Sequence, residues 1–322
     1  MARKRRPDAA KVTFRPMHFV SNCARAFALL CFALATSCGA PRENAGGAAL
    51  AGRIWDARAG EFVAAADMHR AVRFAKVVLL GETHDNPQHH RHQRELLAQI
   101  VATGRRPAVV MEQFDREFQA QLDAERVRAG RTADTVLDAG HFDRRSWEVE
   151  GYRPLVELAL EFDLPIVAAN LSRGDARLIV RDPARAALPA VDARVEHSLA
   201  ADIEGSHCGE KIAPAVLAGM VAAQRARDVA MAQALVTQAD RGAVLIAGIG
   251  HVRADRGAPL YLPRRQLVIG FVEVDSERRR PQDYFDGTFA TAESFDYIWF
   301  TPRAPRADPC AAAPKLPSVP PR

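Results

Sequence analysis

Short aliphatic or β-branched runs bounded by Gly or Pro recur along the chain at Val77–Leu80, Ala108–Met111, Ile166–Ala168, Val244–Ala247 and Leu267–Val274. Runs this brief, without polar alternation, are the pattern of strands buried on both faces of a parallel sheet. Amphipathic stretches lie between them, at Pro87–Val101, Phe114–Arg128, Pro154–Phe162 and Pro214–Gln238. The last of these repeats Leu217, Met220, Val221, Gln224, Asp228, Met231 and Leu235 at helical spacing. The alternation predicts an α/β fold: a mainly parallel sheet with crossover helices. Residues 172–240 carry no strand pattern, which predicts a helical insertion or lid.

The residues just beyond the strand runs carry the chemistry. The first run leads into Gly81-Glu82-Thr83-His84-Asp85, the second into Glu112-Gln113, the third into Asn170 and the fourth into Gly248-Ile249-Gly250-His251. Ligands of open parallel sheets bind beyond the carboxyl ends of the strands. Glu82, His84, Glu112, Asn170 and His251 are therefore predicted to face one crevice, in preference to each merely capping the next helix. Asp85 or Asn86 before Pro87 does have the form of an N-cap followed by proline at the first helical position. On that helix the 3.6-residue period turns His89 and Gln93 toward the crevice and His90 outward. Gly248-x-Gly250 lacks the third glycine and the position of a dinucleotide fingerprint.

Composition locates what surrounds the domain. The 322 residues are 48% hydrophobic and 26% charged, enough for a sizeable core. The formal charge of +5 is concentrated in residues 1–37, which hold seven Lys/Arg against one acid. Residues 38–322 are net −1, so charge gives no case for a nucleic-acid partner. The apolar run Ala26–Ser37 has the length of a secretory h-region and ends at Cys38 after Leu34-Ala35-Thr36-Ser37, the form of a lipobox. The expectation is a signal peptide at 1–37, with Met1 or Met17 as start. Cys38 is then the lipidated N-terminus, succeeded by a flexible tether over 38–52, an α/β domain over 53–301, and a disordered Pro/Ala-rich tail over 302–322. Gly39 in place of Asp after Cys38 favours the outer membrane, facing the periplasm. Besides Cys38, a mature chain keeps Cys208 and Cys310; two such distant cysteines suggest no disulfide framework, and Cys208 reads as a small buried residue.

Arg53-Ile54-Trp55-Asp56, Gly81–Asn86 with His89, His90 and Gln93, Trp147 with Tyr152-Arg153-Pro154-Leu155, and Ala168-Ala169-Asn170 stand in this order. His207-Cys208-Gly209, Gln224 with Arg227-Asp228, Gly250-His251 and Tyr297-x-Trp299 come after them. Together they resemble the ChaN-like haem-binding lipoproteins, in a wider group with Tiki and TraB proteins and erythromycin esterases. The resemblance implies a membrane-tethered haem binder serving iron uptake, with a possible outer-membrane haem receptor as partner. It implies two haems stacked in a pocket shared by a homodimer, each iron held by a tyrosine, with a histidine and a lysine at the propionates. Carried onto this chain, the axial ligand is Tyr152, with Tyr261 as runner-up, and the propionate contacts are Lys211 and His207, which share a face if their segment is helical. A phenolate suits ferric iron.

The same residues allow an enzyme instead. In that alternative His84, His251 and Glu82 hold a divalent metal and Glu112 or another carboxylate acts as general base in a hydrolase. In a third reading the strand-end cluster is a buried polar network that only holds the loops.

Overall fold

The computed structural model describes residues 49–208, 210–263, 265–286, 290–308, 310 and 311. The signal peptide, the lipobox with Cys38 and most of the tether lie outside the described residues. Among those described, no helix is long and apolar enough to cross a membrane.

The chain forms β1 (Ile54–Asp56), β2 (Glu61–Val63), α1 (Ala65–Phe74), β3 (Val77–Glu82), α2 (Pro87–Val101), β4 (Ala108–Asp115), α3 (Gln119–Val127) and α4 (Ala133–Ala139). It continues with α5 (Val149–Glu161), β5 (Ile166–Asn170), α6 (Arg173–Arg181), α7 (Ala193–Ser206), α8 (Pro214–Thr237), β6 (Ala243–Gly248), the single turn α9 (Ile249–Val252), β7 (Leu267–Glu273) and β8 (Tyr297–Thr301). The strands make one sheet in the order β2-β1-β8-β7-β3-β6-β4-β5. The run from β8 to β5 is parallel, and β1 joins β8 antiparallel. The fold is α/β, as the alternating pattern predicts. The strands β1, β2 and β8 at one end of the sheet escape that pattern: β1 and β2 are three residues each, too short for a period to register.

Alternate residues of each strand serve opposite cores. On β3, Val78 and Leu80 pack with Leu96, Leu97, Tyr152 and Leu155 of α2 and α5, while Leu79 packs with Met231 and Leu235 of α8. Each fully buried side chain of this size is worth about 1.5–3 kcal/mol. The sheet is thus sandwiched between helical layers, which forces its polar chemistry to the strand ends.

Several element boundaries differ from the sequence reading for identifiable reasons. The segment predicted as a helix from Phe114 begins as strand, because the Phe114 ring is buried against Phe142 and Asp115 pairs with Asn170. A 3₁₀ turn over Arg116–Phe118 then enters α3. α5 starts five residues before Pro154, leaving the proline in its second turn. Between β5 and β6 the described residues hold only helices and turns, α6, α7 and α8 being the helices.

The two ends of the domain also correct the sequence reading. Leu50 is buried and the Gly52 N–H donates to the Phe300 carbonyl, so the ordered domain starts inside the expected tether. The tail is held at Arg306, whose guanidinium pairs with both Asp85 and Glu273 at 2.6–2.7 Å. Cys310 is disulfide-bonded to Cys208, with Cα atoms 5.5 Å apart. Cys208 is therefore exposed and cross-linked rather than a small core residue. Proximity across 102 residues of chain is a tertiary fact that spacing alone does not encode.

Candidate functional site

The insertion of β6 between β3 and β4 builds the site. Glu82 ends β3 in register with Gly248 of β6, and Glu112 lies on β4 on the other side of that strand. Asn86, capping α2 by accepting the Gln88 N–H at 2.9 Å, fixes the loop that carries His84. A cavity of about 620 Å³ opens here, lined by Glu82, His84, Glu112, Asn170, His251 and Trp147, among others. The five strand-end residues singled out in the sequence do meet at one crevice.

Glu82 is 1% exposed and saturated with donors. Its Oε1 contacts His84 Nδ1 at 3.0 Å and accepts from Gln113 Nε2 at 3.3 Å and from the Tyr152 hydroxyl. Its Oε2 accepts from Gln93 Nε2 at 2.7 Å and faces His90 Nε2 at 3.4 Å. Burial opposes ionisation, but the bonds and charges of His84 and His90 prevail and hold the carboxyl well below the usual range. The His84 ring is affected conversely: burial would lower its pKa, and the bond to Glu82 with the charge of Glu112 raises it.

The second cluster is a carboxylate–imidazole–carboxylate sandwich. His251 Nδ1 lies 2.6 Å from Asp228 Oδ1, and its Nε2 lies 3.4 Å from Glu112 Oε1. Glu112 Oε2 accepts the Gly248 N–H at 2.7 Å. Burial would lower the His251 pKa, yet the charges of Glu112 and Asp228 push it up to about 10. Glu112 is driven down to about 2: burial raises it, and the charge and bond of His251, the charge of His84 and the Gly248 N–H together outweigh burial. Asp228 moves the other way, because its burial outweighs the attraction of His251. Gly248 makes the two clusters compatible, since a Cβ there would lie 2.8 Å from His84 Cε1.

Several sequence expectations are corrected by this geometry. His90 does not look outward; it is buried against the Tyr152 ring at 4.5 Å, because α5 covers that face of α2. Gly151 of α5 supplies the space, as a Cβ there would lie 2.0 Å from His90 Nδ1. Tyr152 is fully buried, with its hydroxyl donated to Glu82, and burial followed by the Glu82 charge drives its pKa far up. A phenol held this way has neither the access nor the acidity of an iron ligand. His207 and Lys211 do not share a helical face, because α7 ends at Ser206. His207 is an exposed C-cap whose Nδ1 lies 2.7 Å from the Ile203 carbonyl, and Lys211 is exposed beyond it.

Tyr261 is half-buried at the end of a 3₁₀ turn, where its hydroxyl accepts from Arg225 Nε at 3.2 Å. The metal site is likewise not assembled. Among the described residues no group of three or more His, Cys, Asp or Glu side chains is disposed to hold a metal ion. The oxygens of Glu82 and the ring nitrogens of His251 already face partners, so these groups do not converge on a common point.

The strand-end rule does not reach the partners of His251 on α8, Asp228 and Gln224. Gln224, Arg227 and Asp228 at i, i+3 and i+4 share one helical face, which is the signal that locates them. The arrangement is a network of ionised pairs in which Gln93 Oε1, Gln113 Oε1 and Asp228 Oδ2 are buried without a hydrogen-bond partner; its paired groups are suited to fixing loop positions and to holding protons at defined atoms.

A family model of haem-binding uptake proteins of the ChaN type, Tiki superfamily, matches residues 68–262, from α1 through Tyr261. Among solved structures, ChaN of Campylobacter jejuni, described for its cofacial haem binding, is 23% identical with a TM-score of 0.63. The match covers 76% of this chain and 95% of that one, a likeness of fold. A mutant of the erythromycin esterase EreC in its open conformation is 11% identical over 76% of this chain and 95% of that chain, with a TM-score of 0.43, too distant to carry an argument. No curated protein matches.

Proposed function

Starting from the fact that the chain belongs to the ChaN family of haem-binding uptake proteins in the Tiki superfamily, we propose that it is an exported, lipid-anchored haem carrier serving iron uptake. The observation that carries this reading is the family match itself, which takes in the four strands β3, β4, β5 and β6, the crevice residues at their ends and the helical insertion. Haem is the ligand; its ferric iron takes a phenolate oxygen. Tyr261 is the candidate for that role. Burial pushes its pKa up, and the hydrogen bond and charge of Arg225 offset only part of that rise. Tyr297, half-buried beside Asp56 and Asp296, has the opposite electrostatic setting.

The Cys208–Cys310 bond supports export, since disulfides persist in oxidising compartments. Cys38 is the proposed lipid carrier and the outer membrane, facing the periplasm, the proposed site. His207 and Lys211, exposed between α7 and α8, suit contacts to the propionates of a haem shared with a second copy, with an outer-membrane haem receptor as a further partner.

The test is hemin titration of the mature protein, monitored in the Soret band. Saturable binding with a shifted band is expected, and Tyr261→Phe is expected to alter the band position and weaken binding at least tenfold, or about 1.4 kcal/mol. Absence of any saturable shift with well-folded protein rejects the haem reading. An unchanged band in Tyr261→Phe rejects Tyr261 alone.

A further inference from the structure

The amino edge of the sheet, opposite the crevice, gathers positive charge. The register of β3, β6 and β4 sets Val77, Ala243 and Ala108 side by side. The residues that lead into those strands, Lys76, Arg241 and Arg105-Arg106, therefore enter the sheet next to one another. Arg105 draws the C-terminus of α1 into the same surface. Its Nη1 donates to the Arg73 and Ala75 carbonyls at 2.9 and 2.8 Å, and its Nη2 to the Lys76 carbonyl at 3.3 Å. Phe74 lies between those carbonyls in the chain and is 83% exposed, more than any other large hydrophobic residue described.

The charge of this edge is not neutralised within the fold. Arg73 is held by the Gln99 side-chain oxygen at 3.0 Å, Arg105 and Arg106 by backbone carbonyls, and Lys76 and Arg241 are exposed. Among the described residues none of these five cations pairs with a carboxylate. Of the acids at the same edge, Asp163 is taken by Arg126 and Arg131, leaving Glu161 and Asp240 against the five cations. Residues 38–322 are net −1, so the patch is a local asymmetry rather than bulk basicity. Cations beyond the C-termini of α1, α2 and α8 also complement the helix dipoles. That accounts for Arg105 on the α1 carbonyls, but not for an aromatic ring left in water beside it.

We propose that this edge is a membrane-docking face, with its cations against anionic phospholipid headgroups and the Phe74 ring in the interface beneath them. Each Lys or Arg near such a surface strengthens binding about fivefold. The inference rests on the lipid-anchored reading only to bring a bilayer within reach. The chain enters the domain beside Phe300, at the carboxyl edge. The twelve residues from Cys38 to Ala49 extend to about 40 Å, against roughly 20 Å for a six-residue strand such as β3, so the tether is long enough for the far edge to meet the bilayer. Docked in this way, the domain turns its crevice away from the membrane.

Vesicle flotation of the mature chain with Cys38→Ser, which carries no acyl chains, tests the face by itself. The vesicles are phosphatidylcholine alone or with about 30% phosphatidylglycerol, and circular dichroism verifies the fold of each variant. Binding to the anionic vesicles is expected to exceed binding to the neutral ones and to fall as salt is added. Lys76→Glu with Arg241→Glu is expected to bind at least about tenfold more weakly, and Phe74→Ser at least about threefold. Arg177→Glu with Arg181→Glu makes the same charge change at exposed positions of α6 and is expected to stay within about twofold of the unsubstituted chain. Folded protein with no preference for anionic vesicles overturns the assignment, as do edge variants that bind normally or an α6 control that weakens equally. Binding to heparin with none to vesicles overturns it in favour of a soluble polyanion. Lipidation of Cys38 is read separately, by mass spectrometry of protein extracted from membranes, so either reading can fail while the other stands.

Discussion

Two of this protein's cavities are built in opposite ways. In the strand-end crevice, buried acids face buried imidazoles or amides at 2.6–3.4 Å. In a cavity of the helical insertion, between α7, α8 and the turn after α6, Leu188, Leu217 and Val221 are in the walls and the buried Arg225 is paired with the half-exposed Glu196. The contrast separates two ways of building a hollow. Ionised groups paired across strand ends tie together the loops around them, whereas small apolar side chains leave a hollow that no such pairing holds.

The largest effect that breaks this comparison is expected at His251. Replacing it by Phe leaves Asp228 and Glu112 buried without their shared cation, and is expected to cost about 3–5 kcal/mol in urea unfolding. The pH dependence arises from the same groups. The His251 contribution is present in full below the ordinary value of 6.5 and is lost as pH rises through about 10. The Glu112 contribution is present above 4.5 and is lost as pH falls through about 2. Thermal midpoints are therefore expected to decline on both sides of a plateau, and a His251→Gln variant to flatten the alkaline limb; an alkaline limb of unchanged slope contradicts the assignment.

The strand-end cluster is legible in the sequence because parallel strands declare themselves as short apolar runs, and the residue after each run must lie at the carboxyl edge. Glu82, Glu112 and His251 are placed by that rule alone. Its limits are equally physical. Tyr152 reads as available because it opens a helical segment beside Trp147, yet its burial is decided by α2 packing against α5, a long-range fact. The outward reading of His90 fails for the same reason, since a helix covered on two sides has no outward face there. The insertion cavity leaves no periodic signature, because its walls come from three separate segments, α7, α8 and the turn after α6. The Cys208–Cys310 pair requires the tail to return to the end of α7, guided by Arg306, which no local pattern announces.

Reduction of that disulfide ranks next in expected effect. Closing a loop of 102 residues constrains the unfolded chain, and its loss is expected to cost about 2–4 kcal/mol, read as a lower urea midpoint in the presence of a dithiol. An unchanged midpoint after verified reduction contradicts a structural role. The smallest effect sharpens the comparison most. Ala218→Trp lies at an exposed position, and its unfolding free energy is expected to stay within about 0.5 kcal/mol of the unsubstituted value. Stability is thereby expected to track the crevice and to be insensitive to the rim of the insertion cavity.

Equilibrium dialysis of hemin against the mature, oxidised protein measures the central claim directly. The account predicts retention that saturates at one haem per chain; retention that keeps rising in proportion to hemin, without a plateau, contradicts it.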